Sequence, residues 1–193
     1  MTMVISIWCR HDTDNIIGID KKIPWHKPHD VKNFLDIVEN QNVVCGKITY
    51  ESFDTKTLGD KTKIFVFTTN NKYEVQNKKL HKVVTNLKDF ETLDEEEDLY
   101  IAGGKQIYEL FFRKKEKFKP HIIVDCVYKG KIDNLSGNKI EISSIINEMP
   151  QKYVKLTNDY IKDEVYSSIW IKKGEFIEQN TLKRIVSILE KNT

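Results

Sequence analysis

What this chain does without narrows its class before any motif is read. It has no long apolar run: residues 3–9 are apolar but few, and charge follows at once, so neither a signal peptide nor a membrane span is expected. Only three cysteines occur, Cys9, Cys45 and Cys126, an odd number at wide spacing. They make no disulfide framework, and each falls in an expected strand as a small core residue suited to a reducing, cytoplasmic compartment. The five histidines form no His-Glu-x-x-His, and no cysteine pair has zinc spacing, so no metal is expected. Charge of one sign is not in excess either. Lys and Arg total 31 against 29 Asp and Glu, a net of +2, which argues against nucleic acid or an anionic membrane as partner. The basic run Arg113–Lys119 and the acidic run Asp94–Asp98 are local, and read as solvated edges or turns. There is no internal repeat and no low-complexity linker, and 193 residues suit one domain with a sizeable core.

The apolar pattern that remains is rich in strands. Runs at Val4–Cys9, Val43–Gly46, Ile64–Thr69, Lys82–Thr85, Leu99–Ala102, His121–Tyr128, Tyr153–Ile161 and Val165–Lys172 predict eight strands, several apolar throughout as if covered on both faces. Helical spacing fits Asp30–Glu39, Lys47–Phe53, Leu87–Leu93 and Lys105–Phe112. Strands alternating with helices predict an α/β fold: a mainly parallel sheet with right-handed crossovers. The short link Lys162–Glu164 makes the last two strands an antiparallel hairpin at one edge. Residues 1–173 then form the domain, and residues 174–193 an extension. Leu182, Ile185, Val186 and Leu189 give that extension a helical stripe, with Asn180 or Thr181 as N-cap. The helix packs on its own domain, leaving a monomer, or serves as a dimer or docking contact.

Three stretches carry chemistry. In the first, Gly18 to Phe34, Pro24 and Pro28 bracket Trp25, and each disfavours helix in the residue before it. Val31, Phe34, Leu35 and Val38 then repeat at helical spacing, so Asp30 stands in the first turn of an amphipathic helix, beside its apolar face. An acid there can occupy a largely dry cleft and hold a protonated ring. In the second, Val43 to Ser52, a strand ends at Gly46 and a helix opens with Lys47 and Thr49, an arrangement that binds phosphate readily. In the third, Leu99 to Tyr108, the pair Gly103-Gly104 follows a buried strand and opens a helix, letting backbone approach a pyrophosphate. It is not the Gly-x-Gly-x-x-Gly fingerprint.

Together, Gly18, Pro24-Trp25, Pro28, Asp30 and Phe34, the strand-Gly-Lys-x-Thr-Tyr-Glu-Ser segment and Ile-Ala-Gly-Gly-x-x-Ile-Tyr resemble the dihydrofolate reductase family. The resemblance runs from the N-terminus to about Lys173, and implies that family's eight-stranded fold and reduction of 7,8-dihydrofolate to tetrahydrofolate with NADPH. Antifolate inhibitors are implied as ligands. Asp30, Tyr108 and the loop residue Ile23 are implied as catalytic, with Ile23 closing over the nicotinamide. On the substrate side it implies the backbone carbonyls of Ile7 and Ala102 at the pterin edge. Trp8 and Cys9 follow on the same strand, and Val31, Phe34 and Leu35 form the wall of the α-helix. On the cofactor side it implies Ile17 and Gly18, then Gly46, Lys47, Ile48 and Thr49. Cys9 and Ala102 border the cofactor as well as the substrate, and Gly103, Gly104, Lys105, Gln106, Ile107 and Tyr108 complete that side. Thr68 and Thr69 fall where the family binds the extra phosphate of NADPH.

Two positions depart from the family. The family's Arg that clamps the folate tail is missing, and the nearest candidate for its place at the substrate is Lys61, a point charge without the planar fork, with an extra residue in the loop. In Val124-Asp-Cys-Val127, where the family often has Thr beside the catalytic acid, either Asp125 takes that place or the alignment slips by one residue. Two alternatives stand beside the main reading: a same-fold reductase of a ribosylated pyrimidine in riboflavin synthesis, and an inactive relative kept as a binding module.

Overall fold

The computed structural model describes residues 2–54, 57–59, 61–90, 97–113, 118–133, 135–156 and 159–193. In chain order the strands are β1 (Val4–His11), β2 (Ile16–Ile19), β3 (Asn42–Gly46), β4 (Lys63–Phe67), β5 (His81–Val84), β6 (Leu99–Ile101), β7 (Ile122–Tyr128), β8 (Lys139–Glu141), β9 (Tyr153–Lys155), β10 (Tyr160–Lys162) and β11 (Val165–Lys172). The helices are α1 (Pro28–Val38), α2 (Lys47–Ser52), α3 (Lys105–Arg113), α4 (Ser143–Lys152) and α5 (Gln179–Asn192). The main sheet runs β10-β11-β7-β1-β6-β3-β4-β5, with β9 also on β11. From β7 to β5 every pairing is parallel. β11 is antiparallel to β7, β9 and β10, which makes the expected antiparallel edge.

Side-chain alternation along the strands divides the core between the two faces. One face carries Ile5 and Ile7 of β1, Cys45 of β3, Tyr100 of β6 and Cys126 of β7, packed with Ile37 of α1, Tyr50 of α2, and Ile185 and Leu189 of α5. The other carries Val4, Trp8, Val44, Ile101 and Ile123, packed with Phe111 and Phe112 of α3 and Met149 of α4. Thr181 of α5 bonds Asp98 at 2.6 Å, and Arg184 bonds the Ile37 carbonyl at 2.7 Å and the Tyr100 hydroxyl at 2.6 Å. Among the described residues no helix is long and apolar enough to cross a membrane.

Three sequence expectations are corrected, and two elements are added. The strand Tyr153–Ile161 is broken into β9 and β10: Lys155 pairs with Trp170 and Tyr160 with Ser167, a step of five positions against three on β11, with 157 and 158 outside the described residues. Of the helix expected over Leu87–Leu93, Leu87–Phe90 form a 3-10 turn, and 91–93 lie outside the described residues. There the Asp89 carboxylate accepts from the Thr85 and Asn86 amides, both at 3.1 Å, and such local bonds compete with helix. The cap of α5 is Glu178, whose carboxylate accepts from the Thr181 amide at 2.7 Å, rather than Asn180 or Thr181. Finally, α4 and the antiparallel ribbon of β2 and β8 were not expected.

Candidate active site

β6 stops at Ile101 while β1 runs on to His11 beside β7, so beyond Ser6 the strand has no neighbour on its β6 side. A gap at the carboxyl ends of parallel strands is where open α/β sheets receive ligands. At its floor Ala102 donates to the Val44 carbonyl at 2.9 Å, and the chain turns through Gly103 and Gly104, joined by a cis peptide. Gly103 has φ +96, and a Cβ there would lie 2.8 Å from the Tyr108 ring, so conformation and space both require glycine. Tyr108 itself reaches across from α3 and donates its hydroxyl to the Ile7 carbonyl at 2.7 Å. One lone pair of that carbonyl stays available to a ligand.

Asp30 faces this gap from the first turn of α1, where Pro28 supplies the preset φ of a helix start. Burial lifts its carboxyl to about 6, and a hydrogen bond from the Cys9 thiol opposes the rise. Cys126 stands in register with Cys9 on the neighbouring strand, on the same face, and its sulfur accepts from Ser167 at 3.2 Å. Burial pushes both thiols up, so they stay protonated at neutral pH.

The place beside Asp30 is therefore taken by Cys126, and Asp125 points to the opposite face. There it accepts from the Trp8 indole at 2.7 Å and from Arg10 at 2.8 and 2.9 Å. The one-residue slip is the alternative that holds, since neighbouring residues of a strand cannot share a face. Trp8, expected at the substrate, likewise lies on the far face with its ring 5.3 Å from that of Tyr108.

The loop before α1 is tied down at several points. The Trp25 ring lies 5.2 Å from Tyr128, and Lys27 bonds Glu164 at 2.7 Å. Yet among the described residues the buried Trp25 indole N–H has no partner, which is costly unless water or a ligand meets it. Phe34 stacks on Phe53 at 5.6 Å, with Leu35 partly buried beside the same core. Ile23, Val31 and Ile48 are 57%, 46% and 50% exposed, apolar side chains left open on the loop, α1 and α2. Phe53 and Cys126 were missed from sequence; the register that sets Cys126 beside Cys9 is fixed by pairing of distant strands, which no local signal carries.

On the other side of the gap, Gly46 donates to the Gly103 carbonyl at 2.7 Å and joins the two glycine turns. A Cβ on Gly46 would meet Ile107 at 3.4 Å, and one on Gly104 would meet the Thr49 hydroxyl at 3.4 Å. Gly46, Thr49, Gly103, Gly104 and Ile107 are thus brought together into a cradle where backbone lies open, which fits a dinucleotide's pyrophosphate. Its cations are partnered: Lys47 sits 3.7 Å from Glu51 and 5.1 Å from the Tyr73 ring centre, and Lys105 is 3.3 Å from Glu141. Ile48 and Gln106 are exposed. Past β4 the Thr68 hydroxyl accepts from the Asn70 amide at 3.2 Å, and Thr69 is exposed. Ile17 and Gly18 lie in β2, Gly18 opposite Ile140 of β8.

Lys61 stands apart. It is exposed and lines a polar cleft with Asn40, Gln41, Lys63 and Glu97, beyond the far end of α1. Asn40 follows Asp30 by ten residues, roughly 15 Å of helical rise.

A family model described as dihydrofolate reductase matches residues 3–131. The dihydrofolate reductase of Ureaplasma parvum is 26% identical over 163 residues, covering 79% of this chain and all of the relative. That of Enterococcus faecium is 27% identical over 163 residues, covering 79% of this chain and 95% of its own. Among solved structures, the Enterococcus faecalis dihydrofolate reductase complexed with NADP(H) and RAB-propyl superposes with a TM-score of 0.64 at 16% identity, covering 89% of this chain and 96% of that one. A match over two thirds of the sequence, on a fold that sets an acid across from a glycine pair and a tyrosine, places the chain in the dihydrofolate reductase family.

Proposed function

We propose that this chain reduces 7,8-dihydrofolate to 5,6,7,8-tetrahydrofolate, with NADPH as cofactor. The observation that carries the reading is Asp30: a carboxyl lifted to about 6 by burial, facing the gap that Tyr108 and Gly103-Gly104 close from the other side. Bound NADPH supplies a hydride from C4 of its nicotinamide to C6 of the pterin. The chain's residues hold and polarise. Asp30, ionised above about pH 6, accepts the pterin's amino and ring N–H bonds and favours a proton at N5. That proton arrives through water, since the acid does not reach N5. The carbonyls of Ile7 and Ala102 line the pterin edge, Phe34 stacks on the substrate rings with Val31 and Leu35 beside it, and Ile23 folds over to exclude water. The cradle of Gly46, Thr49, Gly103 and Gly104 takes the pyrophosphate, with Lys47, Gln106, Thr68 and Thr69 nearest the extra phosphate. Residues 1–173 carry the activity and 174–193 brace them, in a reducing compartment that suits three free cysteines.

The test is spectrophotometric: NADPH oxidation with dihydrofolate present, and its inhibition by methotrexate. Turnover with inhibition supports the reading. No oxidation and no inhibitor binding would leave an inactive relative that serves as a binding module.

A further inference from the structure

Arg10 is used by nothing in the chemistry above, yet three side-chain hydrogen bonds hold it. It lies near the end of β1, on the face away from Asp30, with its side chain 12% exposed. Two of its nitrogens hold the Asp125 carboxylate, Nε at 2.8 Å and Nη2 at 2.9 Å. The third, Nη1, donates to the Asn15 side-chain oxygen at 2.7 Å. Asp125 is also fixed by the Trp8 indole, so its buried charge is fully met.

Asn15 is where the chain leaves the sheet. It has φ +52, its carbonyl accepts from the Ile142 amide at 3.1 Å, and β2 begins at the next residue. The segment that follows runs through β2, Ile23 and Trp25 into α1, which carries Asp30. At this end of the segment the further anchor is its pairing with β8, extended by the Asp20 amide on the Asn138 carbonyl at 3.1 Å. An isolated four-residue ribbon holds weakly by itself.

We infer that Arg10 is a positioning residue. Anchored on buried Asp125, it clamps Asn15 and so fixes the start of the segment that leads from β1 through β2 to the Asp30 helix. The effect on the reaction rests on the reading above; the clamp itself does not. An Arg gives the fork that lets one side chain grip a carboxylate and a separate amide oxygen at once, which Lys cannot do.

Replacing Arg10 strands the Asp125 charge and threatens folding, so the test is made at Asn15. Asn15→Gly keeps a residue that tolerates φ +52 and removes the clamp's acceptor. Asn15→Asp keeps an acceptor for Arg10 but loses the donor that meets Ser143 at 3.4 Å. The readout is native-state hydrogen exchange of the Asp20 and Ile142 amides in the ligand-free protein. Asn15→Gly is expected to speed both by about tenfold or more, the scale of one charge-assisted hydrogen bond. Asn15→Asp is expected to exchange as the wild type does. NADPH oxidation should show a higher KM in Asn15→Gly and a normal one in Asn15→Asp. Unchanged exchange in Asn15→Gly, or equally fast exchange in Asn15→Asp, would overturn the clamp. Failure of the wild type to oxidise NADPH would instead overturn the assigned reaction, leaving the exchange result to stand.

Discussion

The Cys9 thiol donates a hydrogen bond to the Asp30 carboxylate, joining the floor of β1 to the first turn of α1. A thiol is a weak donor, so it offsets only part of the desolvation that lifts Asp30. Graded substitution should show this. Cys9→Val keeps an apolar side chain without a donor and should move the Asp30 titration above about 6. Cys9→Ser offers a stronger donor and should move it below. Carbon NMR of the Asp30 carboxyl reads both, and a valine variant titrating below the wild type would refute the assignment.

The raised carboxyl also links stability to pH. An acid whose folded pKa exceeds its unfolded value costs nothing below the unfolded value of 3.8, and its cost grows as pH rises through about 6. Asp30→Asn removes that cost. In the ligand-free protein the variant should therefore melt higher than wild type at pH 8, by on the order of 2–3 kcal/mol at most. The gain should vanish by about pH 4. Thermal melts across that range check it, and a gain that grew toward acid would mean that Asp30 is a paired carboxylate after all.

For the proposed reaction, in which the Asp30 charge favours a proton at N5, Asp30→Asn keeps the size and loses that charge. The hydride step should fall by about 10²-fold or more at neutral pH, the scale of acid–base catalysis. It should recover as pH drops and solvent protonates the substrate unaided. Single-turnover NADPH oxidation against pH measures this. Near-normal rates at neutral pH would show that another group does the work.

Much of this site was legible in the sequence because its signals are local. Two prolines and a helical stripe announce where Asp30 sits, and glycines after apolar strands announce both turns of the cradle. What escaped depends on pairing between distant segments. The face of Asp125 is set by the register of Trp8 with Asp125, which no local pattern contains. The ribbon of β2 and β8 joins two short runs more than a hundred residues apart. α4 had a signal in Ile142, Ile145, Ile146 and Met149 at helical spacing, but Pro150 masked it. That proline lies in the last turn, where the helix ends three residues later at Tyr153. The break between β9 and β10 needed the partner strand to reveal two surplus residues.

The placement of Asp125 predicts that it matters to the fold and not to the titration of Asp30. Asp125→Ala leaves Arg10 buried without its carboxylate, and breaking such a pair costs about 3–5 kcal/mol. A large fall in Tm with an unmoved Asp30 titration is expected. A shifted Asp30 titration with unchanged Tm would return Asp125 to the neighbourhood of the acid.

The last prediction concerns α5. Ile185 and Leu189 are fully buried in the core shared with Ile37 of α1, and burying each such side chain is worth roughly 1.5–3 kcal/mol. Asn192 adds a hydrogen bond to Asn33 at 3.0 Å, on the same helix as Asp30. Ending the chain after Lys173 removes these contacts together with the bonds of Thr181 and Arg184. It should lower Tm by many degrees while the single-turnover hydride rate, measured well below the new Tm, stays within about threefold of wild type, since no group of α5 meets the reacting atoms. An unchanged Tm with loss of self-association would mean that the stripe joins two copies of the chain instead of bracing one. A hydride rate that fell with the truncation would mean that α5 sets the position of Asp30 through α1.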